Sequence, residues 1–248
     1  DMWGLDVVRL QRSEDLYKEL TKSKSISATN LLDLYGVKYV ISILPIEHDP
    51  RFELIYAHIE GMQGDREELI KKNTIKLYQH RNPVPRAWLV KDFKVYDKGK
   101  ILAALIEKDF RPGQTVFLEE QPSWDRVSPD KQVPGGTRQA KVALVSESNN
   151  QVRFHVSVPD DSLLVVSDTW YPGWKAVAYP VQNNEVWKSG GKPKKIMRAN
   201  YAFRAIALEP GEYEVHFAYE PVSFKIGALI SILTLIVIAA WFYVRRKK

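Results

Sequence analysis

The residues best suited to chemistry lie in one short run. Asp168-Thr169-Trp170-Tyr171-Pro172-Gly173-Trp174 places three aromatic rings and a carboxylate within seven positions. Sugars present apolar C–H faces and hydroxyl edges, so Asp168, Trp170, Tyr171 and Trp174 could form a carbohydrate platform. The run has a second reading. Pro172-Gly173 is a tight-turn pair, and the rings could fill a β core, with Trp174 the ring expected deepest. Asn200 and Arg204 carry the same two readings, ligand or buried hydrogen-bonding group. Lys192-Pro193-Lys194-Lys195 reads as a solvated turn or, if it faces a membrane, as a contact for lipid phosphates.

Other chemistries lack their residues. Histidines stand at 48, 58, 80, 155 and 216, with no pair at i, i+2 or i, i+4, and there is no cysteine. That leaves no metal motif and no thiolate chemistry. No GxSxG elbow is present, and Gly190-Gly191-Lys192 lacks the spacing of a phosphate loop. Glu119 and Glu120 are adjacent, so on a strand they point to opposite faces and cannot share acid–base work. No cofactor and no catalytic residue is expected.

Several elements must position these groups. An N-cap serine opens a short helix at Ser13–Leu20. Asn30–Tyr35 ends at Gly36 as a C-cap, and a β-rich run follows at Val37–Ser42. Ile75–Gln79, Arg86–Val90 and Thr115–Leu118 read as strands, and Lys98–Lys108 has helical spacing with Leu102, Leu105 and Ile106 on one face. Residues 1–120 are therefore expected to form a small α+β domain. Residues 121–139 contain three prolines and two adjacent glycines and read as a linker. Residues 140–224 are expected to be an antiparallel β-sandwich of Ig-like or jelly-roll-like kind. Its strands are expected at Ala140–Ser146, Gln151–Val158, Ser162–Ser167, Trp174–Tyr179, Ala202–Leu208 and Tyr213–Tyr219.

The C-terminus decides the compartment. Ile226–Val244 runs 19 residues without charge or proline. A bilayer core of about 30 Å needs about 20 apolar residues at 1.5 Å rise, so residues 225–244 are expected to span a membrane as one helix. Lys225, Trp241, Tyr243, Arg245 and Arg246 are the expected anchors at its two ends, and 245–248 form a basic tail. Four cations behind the helix favour a cytoplasmic C-terminus, which puts residues 1–225 outside the cytoplasm. The chain starts with Asp1, and its first residues are polar, so a fragment preceded by further membrane spans is expected. The chain carries 36 Lys+Arg and 30 Asp+Glu, with four of the cations in the last four positions. The folded part is nearly neutral, which argues against a nucleic-acid surface.

Several motifs resemble a known family in the family's own order. Leu34-Tyr35-Gly36-Val37-Lys38-Tyr39-Val40 is similar to "LLGVKYVI", and Pro85-Arg86-Ala87-Trp88-Leu89-Val90 to "LPRAFLV". Asp168–Lys175 resembles "TYYPGW", Ala199–Ile206 resembles "NYAFRAV", Leu208–Tyr213 resembles "LPAGEH", and Tyr219-Glu220-Pro221 resembles "YxP" before a last membrane helix. These are motifs of YfhO-type bacterial polytopic membrane proteins of glycosyltransferase C-like architecture, and the likeness touches most of residues 31–230. It departs from the pattern at Val181–Lys195, where Asn183-Asn184 and a lysine-rich turn replace a short "DGK" hairpin.

The resemblance implies a lipid-linked sugar transferase at the outer face of the cytoplasmic membrane. Its catalytic acid belongs to an early extracytoplasmic loop that this chain does not contain. The chain is then a non-catalytic extracytoplasmic region that positions a glycan acceptor or caps the active site. Its partners are the lipid bilayer, a glycan or lipid-linked sugar, and the remaining transmembrane part of the same polypeptide. The alternative is an independent membrane-anchored binding or assembly module.

Overall fold

A computed structural model of the chain describes residues 10–22, 30–46, 48–59, 63–71, 74–124, 139–183 and 185–246. The first half supplies α1 (Gln11–Lys22), α2 (Leu31–Leu34), β1 (Tyr39–Ser42), β2 (Phe52–Ala57), α3 (Arg66–Lys71), β3 (Lys76–His80), β4 (Ala87–Val90), β5 (Asp92–Val95), α4 (Lys98–Leu105) and β6 (Thr115–Leu118). The second supplies β7 (Lys141–Ser148), β8 (Gln151–Val158), β9 (Ser162–Thr169), β10 (Trp174–Gln182), β11 (Glu185–Val186), β12 (Lys192–Lys194), β13 (Met197–Ala199), β14 (Phe203–Leu208), β15 (Gly211–Tyr219) and α5 (Val222–Arg246). The fold is thus mixed α+β, with small helices first, mostly antiparallel sheets and one apolar C-terminal helix, as the sequence led us to expect.

The strands make a three-stranded sheet, β1-β3-β2, and two six-stranded sheets. One has the order β4-β9-β14-β13-β6-β5. The other runs β11-β10-β15-β8-β7, with β12 paired to β10. Only β5 and β6 pair in parallel among the registers described.

Two compact units interleave along the chain. The first comprises Asp1–Val142, Ser157–Trp170 and Met197–Gly211; the second comprises Ala143–Val156, Tyr171–Ile196 and Glu212–Lys248. The sequence reading instead cut the chain once, between 120 and 140. The physical reason for the interleaving is strand pairing. β9 bonds β4 through Ala87↔Val166 to Val90↔Leu163, and β13 bonds β6 through Ala199↔Leu118. Of the expected linker, residues 125–138 lie outside the described residues.

The first unit is built around two adjacent interior strands of its large sheet, β9 and β14. Leu163-Leu164-Val165-Val166 and all of β14 are buried, so both faces of these strands are apolar and no alternation is visible. On one face Leu16 of α1, Leu31 and Leu34 of α2, and Ile101 and Leu105 of α4 pack with Phe117 and Phe203. Helix α1 begins at Gln11, so Ser13 lies within its first turn rather than at its cap. Helix α4 is capped by Asp97, whose side chain accepts from the Lys100 N–H at 3.0 Å. Its buried line is Ile101 and Leu105, with Leu102 and Ile106 only partly buried.

The second unit shows the alternation of a one-sided sheet. Val152, Phe154 and Val156 of β8 are buried while Arg153 and His155 are not. Strand β10 pairs β15 from Trp174↔Tyr219 to Pro180↔Tyr213.

Candidate functional site

An ion-pair hub lies where three strands of the first unit meet. The register between β9 and β14 jumps from Phe203↔Thr169 to Arg204↔Val166, leaving Ser167 and Asp168 in a bulge. The bulge is tied down by Arg86, whose carbonyl accepts from the Ser167 N–H at 2.8 Å. It re-aims Asp168 so that both oxygens meet arginines. Arg86 donates Nε to Oδ1 at 2.8 Å and Nη2 to Oδ2 at 3.2 Å, and Arg204 donates Nη2 to Oδ2 at 2.5 Å. Arg204 is only 1% exposed. Burial pushes its guanidinium down to about 10; Asp168 opposes that fall and Arg86 adds to it. Arg204 therefore stays charged at neutral pH, and Asp168 is its counter-ion.

A second network adjoins Asn200, in the left-handed turn between β13 and β14. Asn200 and Tyr201 have φ of 44° and 73°, a region open to asparagine but costly for tyrosine. Asn200 imitates a strand neighbour: its N–H donates to the Phe117 carbonyl at 2.8 Å, and its Oδ1 accepts from the Phe117 N–H at 2.9 Å. The Tyr201 hydroxyl donates to Asp15 at 2.6 Å. Burial first, then that hydrogen bond, raises the phenol to about 12. Arg12 pairs with Glu119 and reaches the Tyr201 carbonyl at 2.9 Å, and Arg198 meets Glu119 at 3.3 Å. The Arg198 guanidinium lies 3.9 Å from the centre of the Trp170 ring and covers one of its faces.

The four residues of the expected sugar platform therefore divide. Asp168 and Trp170 belong to the first unit, Tyr171 and Trp174 to the second. In the second unit Trp174 is half-buried rather than a core ring, because it starts β10 opposite Tyr219 at the sheet's end. Its ring centre is 5.4 Å from that of Tyr219, and Tyr171 lies 6.2 Å from the same ring. Gly173 between them has φ of 108°, and a Cβ there would stand 3.0 Å from Tyr219 Cε2 and 3.1 Å from Pro221 Cα. Only glycine meets both demands.

Other polar groups are also paired. Arg51 lines an open cleft of about 540 Å³ and donates to Asp49 (2.7 Å), Asp33 (3.0 Å) and Asn30 (2.9 Å). Buried His80 sits 2.8 Å from Asp33. Desolvation holds this imidazole below its ordinary pKa, assisted by Arg51 and opposed by Asp33 and Asp49. His155 pairs with Glu212 at 2.9 Å, and His216 with Glu214. Among the described residues no three His, Asp or Glu side chains gather as a metal set. The arginine hub escaped the sequence reading, although Arg86, Asp168 and Arg204 each lie in a motif quoted above. The available signal was a lone arginine, Arg86 and Arg204, inside two of the apolar motifs.

Helix α5 contains a 22-residue stretch, Val222–Tyr243, with mean hydropathy 2.3 and none of it buried. Ser231 and Thr234 donate to carbonyls one turn back, at 3.0 and 2.9 Å, so neither hydroxyl asks for water. At its end Arg245 lies 4.4 Å from the Trp241 ring centre. Length, hydropathy and exposure make this a membrane-spanning candidate, and the anchors Lys225, Trp241, Tyr243, Arg245 and Arg246 all lie on it.

A stretch of 108 residues is 31% identical to "Uncharacterized protein YfhO" of Bacillus subtilis (strain 168). It represents 44% of this chain and 11% of that protein, so the chain spans a small fraction of the relative it matches. No family model and no solved structure matches the chain.

Within each unit the motifs quoted from the sequence come together. Arg86, Asp168 and Arg204 bring three of them to one hub. Gly36, with φ of 64°, is pressed so close to the Val84 carbonyl that a Cβ would stand 2.8 Å from it. Tyr35 meets Phe203 edge-on at 5.2 Å. In the second unit Gly173 packs on Tyr219 and Pro221 and so joins the aromatic turn to the YxP motif.

Proposed function

We propose that the chain is a non-catalytic, membrane-anchored region of a YfhO-like, glycosyltransferase-like membrane protein, with its folded part outside the cytoplasm. It would position a glycan acceptor or cap a catalytic cavity formed by other parts of that protein. The observation that carries this reading is the state of Asp168. The one carboxylate of the aromatic turn has both oxygens bound by arginines and serves as counter-ion to a buried guanidinium. Such a group holds strands together and has little capacity left for a sugar hydroxyl or a reacting proton. Trp170, half-buried with Arg198 over its ring, is the remaining candidate for a carbohydrate contact in the first unit.

An apolar surface supports a partner within the membrane protein. Tyr39 and Ile41 of β1 and Ile55 and Tyr56 of β2 are exposed on the three-stranded sheet, Ile41 to 76%. Such a patch fits burial against another part of a larger assembly.

The test uses the absence of cysteine. A cysteine at Gln182 should react with a membrane-impermeant maleimide on intact spheroplasts, and one appended after Lys248 only after lysis. The reverse pattern overturns the orientation. In nanodiscs the full chain should bind a glycan acceptor weakly and release no sugar from a lipid-linked donor. Turnover by this chain alone would overturn the non-catalytic role.

A further inference from the structure

The foot of the second unit carries an inference about what the aromatic turn contacts. Helix depth can be counted from its charged end. If Arg245 stands just outside a hydrocarbon core of about 30 Å, a rise of 1.5 Å per residue puts the opposite boundary about 20 residues earlier, at Lys225. Lys225 is the first charge met in that direction, which agrees with the count. Pro221 then lies about 6 Å further out, within a headgroup layer of about 5–7 Å on each side.

The aromatic turn is fixed to that level. The Glu220 N–H donates to the Gly173 carbonyl at 2.8 Å, and Gly173 packs closely on Tyr219 and Pro221. Tyr171, 44% exposed, and half-buried Trp174 both lie against the Tyr219 ring. Two cations complete the group. Glu220 accepts from Lys175 at 2.8 Å and from Lys225 at 3.5 Å. These pairs, Lys175 foremost, hold the Glu220 carboxyl below its ordinary range. Amphipathic rings and tethered lysines at headgroup depth are the composition of a membrane-interface belt.

We propose that Tyr171, Trp174, Tyr219 and Lys175 form a collar seated in the lipid headgroup layer, whose ligand is the bilayer interface. The collar sets the depth and rotation of α5 and holds the second unit down on the membrane. This rests on the reading of α5 as a membrane span in the proposed function. It assigns Tyr171 and Trp174 to lipid, while Asp168 and Trp170 belong to the other unit.

The full chain, free of native cysteine, is labelled with a nitroxide at single cysteines and reconstituted into phosphatidylcholine–phosphatidylglycerol vesicles. Oxygen and a water-soluble nickel chelate then report depth at four sites: Leu233→Cys in the helix, Tyr171→Cys and Pro172→Cys in the turn, and Gln182→Cys at the other end of β10. Both turn positions are exposed, so their labels should be tolerated, and two sites guard against one disturbing the turn. The expected order is Leu233 deepest, the turn intermediate and Gln182 aqueous, with nickel accessibility in the turn several-fold below that at Gln182. Turn labels as open to nickel as Gln182, with Leu233 deep, would overturn the collar and leave the anchor standing. A nickel-accessible Leu233 would overturn the anchor, and the collar with it.

Discussion

Arg204 and Asp168 do not contribute symmetrically, and substitution should reveal it. Removing the carboxylate leaves a fully buried guanidinium without its counter-ion, while removing the guanidinium leaves Asp168 still held by Arg86 and partly exposed. Asp168→Asn should cost about 3–5 kcal/mol, the usual penalty for orphaning a buried charge. Arg204→Met should cost clearly less. Denaturant unfolding of the detergent-solubilised chain measures both, and equal losses would count against the counter-ion account. His80 gives a pH prediction at the same scale. Its folded-state pKa is depressed, so the unfolded chain binds a proton more readily. Stability is therefore fully present above about pH 6.5 and falls as pH drops toward the folded value, with a slope of at most about 1.4 kcal/mol per pH unit. His80→Asn should flatten that limb of the Tm–pH curve, and an unchanged limb would assign it to other groups. Sequence reading flagged Arg204 and Asn200 as buried-or-ligand because polar residues within apolar strands leave only those options. It could not pair Arg204 with Asp168, because a bulge 36 positions away does the aiming.

At the scale of elements, the turns were legible and the partners were not. Gly36 and Pro172-Gly173 announced their turns, because a positive φ leaves a direct trace in residue type. Strand β8 announced itself by alternation and was read at its observed bounds. The short strands β11, β12 and β13 were missed; two or three residues hold no period. Strand β2 was missed as well, because a bulge between Leu54 and Tyr56 breaks its alternation. Gly173→Ala should be destabilising by about 1–3 kcal/mol, because the new Cβ meets backbone at Pro221 and demands a forbidden φ. Asn200→Gly separates two contributions: it keeps the left-handed turn and loses the clamp on the Phe117 N–H, at about 1–3 kcal/mol for an orphaned buried donor. Asn200→Ala should lose both and fall further. Thermal melts of the three variants check the order, and an Asn200→Gly protein as stable as the parent would show that the clamp contributes nothing.

At the scale of the whole molecule, the apolar tail was plain from 19 uncharged residues, whereas the interleaving of the two units was hidden. Local pattern says which segments are strands, and it is silent on which distant strand completes each ladder. The interleaving changes what a cut between the halves should do. The sequence reading treats 121–139 as a joint between two self-sufficient bodies, from which residues 140–224 would fold alone. In the structure β9 and β13 take their outer neighbours β4 and β6 from before that segment. The buried cluster of Trp88, Val116, Leu118, Leu163, Met197 and Ala205 likewise draws on both sides of it. Cleavage at a protease site placed within 125–138 should therefore not separate the products. The two pieces should co-elute on size exclusion in detergent and melt in one transition, coming apart only in denaturant. A chain of residues 140–224 expressed alone lacks β4 and β6, leaves β9 and β13 as unpaired edges and should fail to fold cooperatively. Pieces that separate under native conditions, or a 140–224 fragment with a sharp melt of its own, would show that each half owns its core and that the division at 121–139 is the true one.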